Sequence, residues 1–248
     1  MSKLIKNLVV FPDYMDDINQ QSLVYNPYFD EQNLFIFNPN ILQNYQDKIT
    51  LDTIEEIVVK YLSNLKIDFQ QTIIVAKGLL ATIICRVKTN FNFQQTILIN
   101  PIFADALINP YTSNKPSYKL NLNHVWQQTL KEYYQANKIF IDKQSLIFIE
   151  HYKFYTQYWE YHTKITSLLN DFIYLKSIKN QEKNYNLEQT IVLLGAHNKV
   201  IDVKKTKNIL HKMFPKTLVV DFNFSSHHLE MDEPLKLLCW LKIFFNED

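Results

Sequence analysis

The chain has 248 residues, 47% of them hydrophobic, with 26 basic and 25 acidic side chains and a formal charge of +1. That length and apolar content suit one large α/β domain or one domain with an insertion, and the balanced, interspersed charge leaves no electrostatic footprint for nucleic acid or an anionic membrane. No stretch reaches the 18 or more uncharged apolar residues of a membrane span, and only two glycines occur where ordinary usage gives roughly 17.

Taken in chain order, the opening MSKLIKNLVVF holds an apolar run too short for a signal sequence, and no small-residue cleavage site follows it. Its LVVF (Leu8 to Phe11) reads as a buried strand, followed by the loop VVFPDYMDD and a second strand LFIF (Leu34 to Phe37). Ile54, Ile57, Val58, Tyr61, Leu62 and Leu65 repeat at helical spacing. A strand TIIV (Thr72 to Val75) then runs through VAKGLLAT, which holds Gly78, into a helix carrying Leu79, Leu80, Ile83, Ile84 and Val87. TILI (Thr96 to Ile99) is the next strand.

The alternation lapses between about residues 105 and 188, where the aromatic run SLIFIEHYKFYTQYWEYHTKITSLLNDFIYL suits one or two amphipathic helices, either packed on the core or forming a cap over a cleft. It resumes with TIVLL (Thr190 to Leu194), Gly195, a weaker helical pattern from Val203 to Phe214, and TLVVDF (Thr217 to Phe222). The loop FSSHHLEMDEP then leads into a last helix from Leu235 to Phe245, with Pro234 in its first turn. Apolar strands alternating with helices predict an α/β fold, a mostly parallel sheet flanked by helices with a helical insertion, over residues 1–248 as one domain. Cys85 and Cys239 both lie in apolar runs and are expected as buried free thiols, which points to a reducing, cytoplasmic setting.

Both glycines punctuate strand exits, where parallel α/β sheets place their sites. A tight strand-to-helix turn can force positive φ, which glycine tolerates. On the pattern G-x-S-x-G of a nucleophile elbow, Ala76 takes the first small position and Gly78 the serine. A register one residue earlier would put Lys77 there, and an ordinary turn in an unrelated fold is the plain alternative. Gly195-Ala196-His197-Asn198 matches a strand exit G-x-x-D with Asn198 at the acid, and the next loop offers His227, preferred over His228, as the histidine. The order nucleophile, acid, histidine is that of the α/β-hydrolases, which the chain resembles at these points.

A narrower resemblance is carried by Leu98-Ile99-Asn100-Pro101, Asn109-Pro110-Tyr111-Thr112, Tyr118, Leu120 and His124. This run is similar to the INP…NPYT…Y-x-L-x-x-x-H run of the small bacterial YqiA/YcfP family of esterase-like α/β-hydrolases. The resemblance implies an esterase-like fold in which some members have glycine in place of the nucleophilic serine. Here the first loop has Pro12, which lacks an N–H, where the family has a His-Gly pair supplying the oxyanion hole. Leu80 and Ala81 replace the glycines that follow the nucleophile.

Serine hydrolysis needs a nucleophile, a base and a group that balances the base. Gly78 supplies no nucleophile, and Asn198 can orient an imidazole without neutralising an imidazolium. The expectation is therefore a catalytically degenerate hydrolase that acts as a binding or scaffolding module, with a small molecule or protein at the cleft under the insertion and no cofactor. The alternative is a weak esterase or thioesterase with rerouted residues, Asp105 as acid and Ser225 or Ser226 as nucleophile. His197, His227, His228 and Asp232 make a conceivable metal set, set against the plainer expectation of solvated loop histidines. An aromatic face on Phe148, Tyr152, Tyr155, Trp159 and His162 would suit self-association.

Overall fold

The computed structural model describes residues 5–13, 16, 18–26, 33–39, 41, 51–103, 106, 189–198, 201–225 and 227–245. In chain order they form β1 (Asn7–Phe11), α1 (Ile18–Tyr25), β2 (Leu34–Ile36), α2 (Leu51–Asn64), β3 (Thr72–Lys77), α3 (Gly78–Val87), β4 (Gln95–Ile99), β5 (Thr190–Gly195), α4 (Val203–Met213), β6 (Leu218–Phe222), α5 (Leu229–Asp232) and α6 (Pro234–Phe245). The six strands make one sheet in the order β2-β1-β3-β4-β5-β6, every neighbouring pair parallel. The predicted fold class is therefore the observed one.

Side chains alternate between the two faces of a strand, and both faces are covered. On one face Val9, Phe11, Ile74, Ala76, Leu98, Val192 and Leu194 pack with residues of α2, α3 and α4. On the other, Leu8, Val10, Ile73, Val75, Ile97, Ile99, Ile191 and Leu193 pack with Tyr25 of α1, Leu229 of α5, and Leu237 and Leu241 of α6. This two-sided burial explains why the strands read as continuous apolar runs rather than alternating ones. Helix α3 is buried along its length apart from Arg86, so its apolar pattern is dense. Helix α4 is amphipathic and capped by the Asp202 side chain, which accepts from Lys205 N.

Each predicted strand is present, with ends moved by a residue or two. Helix α1 escaped the sequence reading because INQQSLVY has little apolar periodicity. Cys85 is buried as expected, but Cys239, on α6, is exposed. The apolar run around it belongs to a helix whose other face packs on the sheet. The segment expected as an insertion, residues 105–188, lies outside the described residues apart from Ala106, and so does its aromatic face.

Candidate functional site

Strands β1, β3, β4, β5 and β6 end on one edge of the sheet, and the loops that follow them converge there. Gly78 follows the last residue of β3 with φ +57, opening α3, and Lys77 before it supplies no side-chain cap. This is the left-handed conformation that the elbow reading of Gly78 requires. Thr82 of α3 donates to Ile102 O at 2.6 Å and Ile102 N donates to Gly78 O at 3.3 Å, which ties the turn to the loop after β4.

The space above Gly78 is filled. A Cβ there would lie 2.1 Å from Asp13 Oδ2 and 2.4 Å from Asp13 Cγ. Asp13 comes from the loop after β1 and is buried. Its Oδ2 lies 2.7 Å from His227 Nε2. The carboxylate thus stands where a nucleophile's side chain would project and bonds to the nitrogen that would take the nucleophile's proton.

Asn198 fixes the other side of the ring. Its Oδ1 accepts from Ile201 N at 3.1 Å, so its Nδ2 is the atom that meets His227 Nδ1 at 3.1 Å. An amide N–H can only donate, so Nδ1 accepts and the ring proton sits on Nε2, donated to Asp13. In a working triad the acid holds the proton on Nδ1 and leaves Nε2 free as base. Here the tautomer is reversed. Burial lowers the His227 pKa, helped by the charges of Lys77 and His228, and the Asp13 carboxylate does not fully offset this. With Nδ1 accepting from Asn198 and Nε2 donating to Asp13, the ring carries a single proton.

Asn100 braces these loops. Its Oδ1 accepts from Gly195 N at 2.9 Å and its Nδ2 donates to His227 O at 3.0 Å. It holds φ +47 immediately before Pro101, a conformation that the following proline disfavours. The Asn of the INP run thus joins the two loops that carry Asn198 and His227.

Beside Gly78, Asn198 and His227 lies a charged cluster that the sequence pattern does not reveal. Lys77 Nζ donates to Asp16 Oδ1 at 2.9 Å and Glu230 Oε1 at 2.5 Å, and lies 2.8 Å from His228 Nδ1, all of them buried. Burial opposes the charge on Lys77, but Asp16 and Glu230 outweigh it and raise its pKa. Burial likewise works against ionising Glu230, yet the Lys77 charge holds its carboxyl down at about 2. Burial and the Lys77 charge pull His228 down, and the carboxylates of Asp16 and Glu230, 3.4 and 3.6 Å from its Nδ1, raise it overall. Asp16 also accepts from Asp13 N at 2.9 Å and donates its own N–H to Asp13 O at 2.9 Å, so the cluster pins the turn from which Asp13 projects.

The conceivable metal set is not assembled: His197 is exposed, and His227 and His228 turn to different partners. Asp16, His228 and Glu230 do bring ligand atoms within 4.8 Å of one another, but the Lys77 ammonium bonds to all three and supplies the cation itself. The expectation of solvated histidines is corrected for His227 and His228, which are buried. Ser225 is no nucleophile for His227, since its hydroxyl donates to Glu233 Oε2 at 2.7 Å. Asp105 and Ser226 lie outside the described residues. Asp13, Asp16 and Glu230 stand in the two loops quoted from the sequence. Their signal was acidic residues at strand exits flanking an elbow lysine, legible only once β1 and β3 are known to be neighbours.

No family model matches the chain, and no curated protein matches it. Solved structures do. An N-formylmaleamic acid deformylase of Pseudomonas putida superposes with TM-score 0.64 at 14% identity, covering 96% of this chain and 92% of its own. An N-acyl homoserine lactone degrading enzyme gives TM-score 0.71 at 10% identity, covering 98% and 94%. A protein described as an aryl esterase of Burkholderia cenocepacia gives 0.62 at 10% identity, covering 98% and 90%. The fold is that of the α/β-hydrolases. At such identities the likeness extends to the fold and no further.

Proposed function

We propose that this chain is a catalytically degenerate α/β-hydrolase-fold protein of the YqiA/YcfP-like kind, a cytoplasmic binding or scaffolding module rather than an esterase. The observation that carries the reading is the Asp13 carboxylate, lodged over Gly78 and hydrogen-bonded to His227 Nε2. It leaves no place for a nucleophile and fixes the imidazole proton on the nitrogen that should receive one. The Asn198 amide supports the same tautomer from the opposite side. An acid-to-amide change alone costs about 10⁴ in turnover in a serine-protease triad, and here the nucleophile is gone as well. A ligand or partner would be held at the cleft beside these loops.

The test is hydrolysis of short p-nitrophenyl esters by the wild type and by Gly78→Ala and His227→Ala. The expected rates are equal, with no serine labelled by a fluorophosphonate probe. A wild-type rate that disappears in His227→Ala, or a labelled serine, would favour the weak-esterase reading instead.

A further inference from the structure

The elbow loops are arranged around a negative charge. His227 Nε2, on a ring 5% exposed, donates at 2.7 Å to the group lying over Gly78. Helix α3 begins at that glycine without a side-chain cap, so its first N–H groups present the positive end of the helix dipole there. Lys77, one residue earlier, acts on Asp13 at longer range, its charge already shared with Asp16 and Glu230. Gly78 contributes no side chain, and the vacant volume is filled by a carboxylate in contact with the place of its missing Cβ.

We propose that the elbow is a carboxylate-binding site and that Asp13 is its resident internal ligand, so that removing the Asp13 side chain opens the site to a small free monocarboxylate. The inference rests on the reading that Gly78 stands in the nucleophile's place, and it assigns that place a ligand class. Asp13 is an autoinhibitory contact in this sense: the wild-type site is shut by the chain's own carboxylate, which the Asp16 turn holds in position. The external ligand must be an anion small enough for the volume vacated by one Asp side chain. It must also accept the Nε2 proton.

The experiment compares the wild type, Asp13→Ala and Asp13→Ala/His227→Phe in thermal melts with sodium acetate, using sodium chloride at equal ionic strength and neutral acetamide as controls. Acetate should raise the melting temperature of Asp13→Ala saturably, with a dissociation constant on the order of millimolar for so small a ligand. Acetamide and chloride should not. The wild type and the double variant should show at least tenfold weaker response. Equal responses to acetate and chloride in folded Asp13→Ala, or an acetate response undiminished in the double variant, overturn the proposal.

Should Asp13→Ala fold only when acetate is present, that supports it. Should it fold under neither condition, ¹⁵N NMR of the wild-type imidazole decides. A proton on His227 Nε2 with an accepting Nδ1 is the expected state, and a proton on Nδ1 overturns the internal-ligand assignment. Ester turnover in the wild type that depends on His227 would overturn the non-catalytic reading while leaving acetate binding by Asp13→Ala intact. Absence of both turnover and acetate binding overturns this inference alone.

Discussion

At the scale of single residues, Gly78 and Asp13 are one device: the glycine's missing side chain is the aspartate's space. Gly78→Ala must adopt φ +57 and also push Asp13 off His227. Backbone strain of about 1–3 kcal/mol and the loss of a charge-assisted bond of about 1.5–3 kcal/mol together give an expected destabilisation of about 2.5–6 kcal/mol. In an Asp13→Gly background the same change should cost only the strain, about 1–3 kcal/mol. Urea melts of the four proteins form a double-mutant cycle, and a coupling near zero would show that Asp13 does not occupy the elbow. A relaxed turn would instead be stabilised by alanine. That Gly78, Asn198 and His227 would meet at one edge of the sheet was legible in the sequence because each follows a recognisable strand at a fixed offset. Asp13 was not, because its role depends on a contact between residues 65 positions apart, across two strands whose adjacency no local pattern declares.

At the scale of elements, the Lys77 cluster joins the turn after β1, the last residue of β3 and the start of α5, and ties α5 to two strands whose own ladder ends at Phe11 and Ala76. Its stability should therefore follow the ionisation of its carboxyls. Glu230 is held at about 2 against an ordinary 4.5, and Asp16 lower still; burial opposes both shifts, and the Lys77 charge does most to overcome it. A depressed carboxyl contributes stability that is complete above the unfolded value and lost as pH falls through the folded one. His227, lowered by burial, adds to the acid loss below its ordinary 6.5, while His228, raised by its carboxylate partners, works in the opposite sense. The urea midpoint of the wild type should fall steeply below about pH 4.5. Glu230→Gln should start lower at neutral pH and fall less steeply, and parallel curves would remove Glu230 from the cluster. The elements themselves were readable because two-sided burial imposes long apolar runs on strands and dense periodicity on α2 and α3. Short α1 and α5 were not, since their places come from packing against the sheet.

At the scale of the whole molecule, the described sheet carries an apolar layer on each face, and the polar cluster at its strand exits adds to what stabilises the molecule. Charged and strained groups at an active site are often kept for chemistry, and replacing them then raises stability at the expense of activity. Here Lys77 pairs with Asp16 and with Glu230 Oε1 and lies against His228 Nδ1, while Glu230 Oε2 is buried without a hydrogen-bond partner; Asp13 pairs with His227, and Asn198 bonds both the ring and Ile201 N. Removing one member leaves a buried charge or polar group unpaired, which costs about 3–5 kcal/mol for an ion pair and about 1–3 kcal/mol for a neutral partner. Lys77→Met should therefore lower stability by about 3–5 kcal/mol, and His227→Gln by about 1–3 kcal/mol. Both should leave the urea slope unchanged, since the same surface is exposed on unfolding. Lys204→Met, on the exposed side of α4, is the control and should stay within about 0.5 kcal/mol of the wild type. A rise in midpoint for either site variant would mark these loops as strained for a reaction still to be found and would count against a structural role for the cluster.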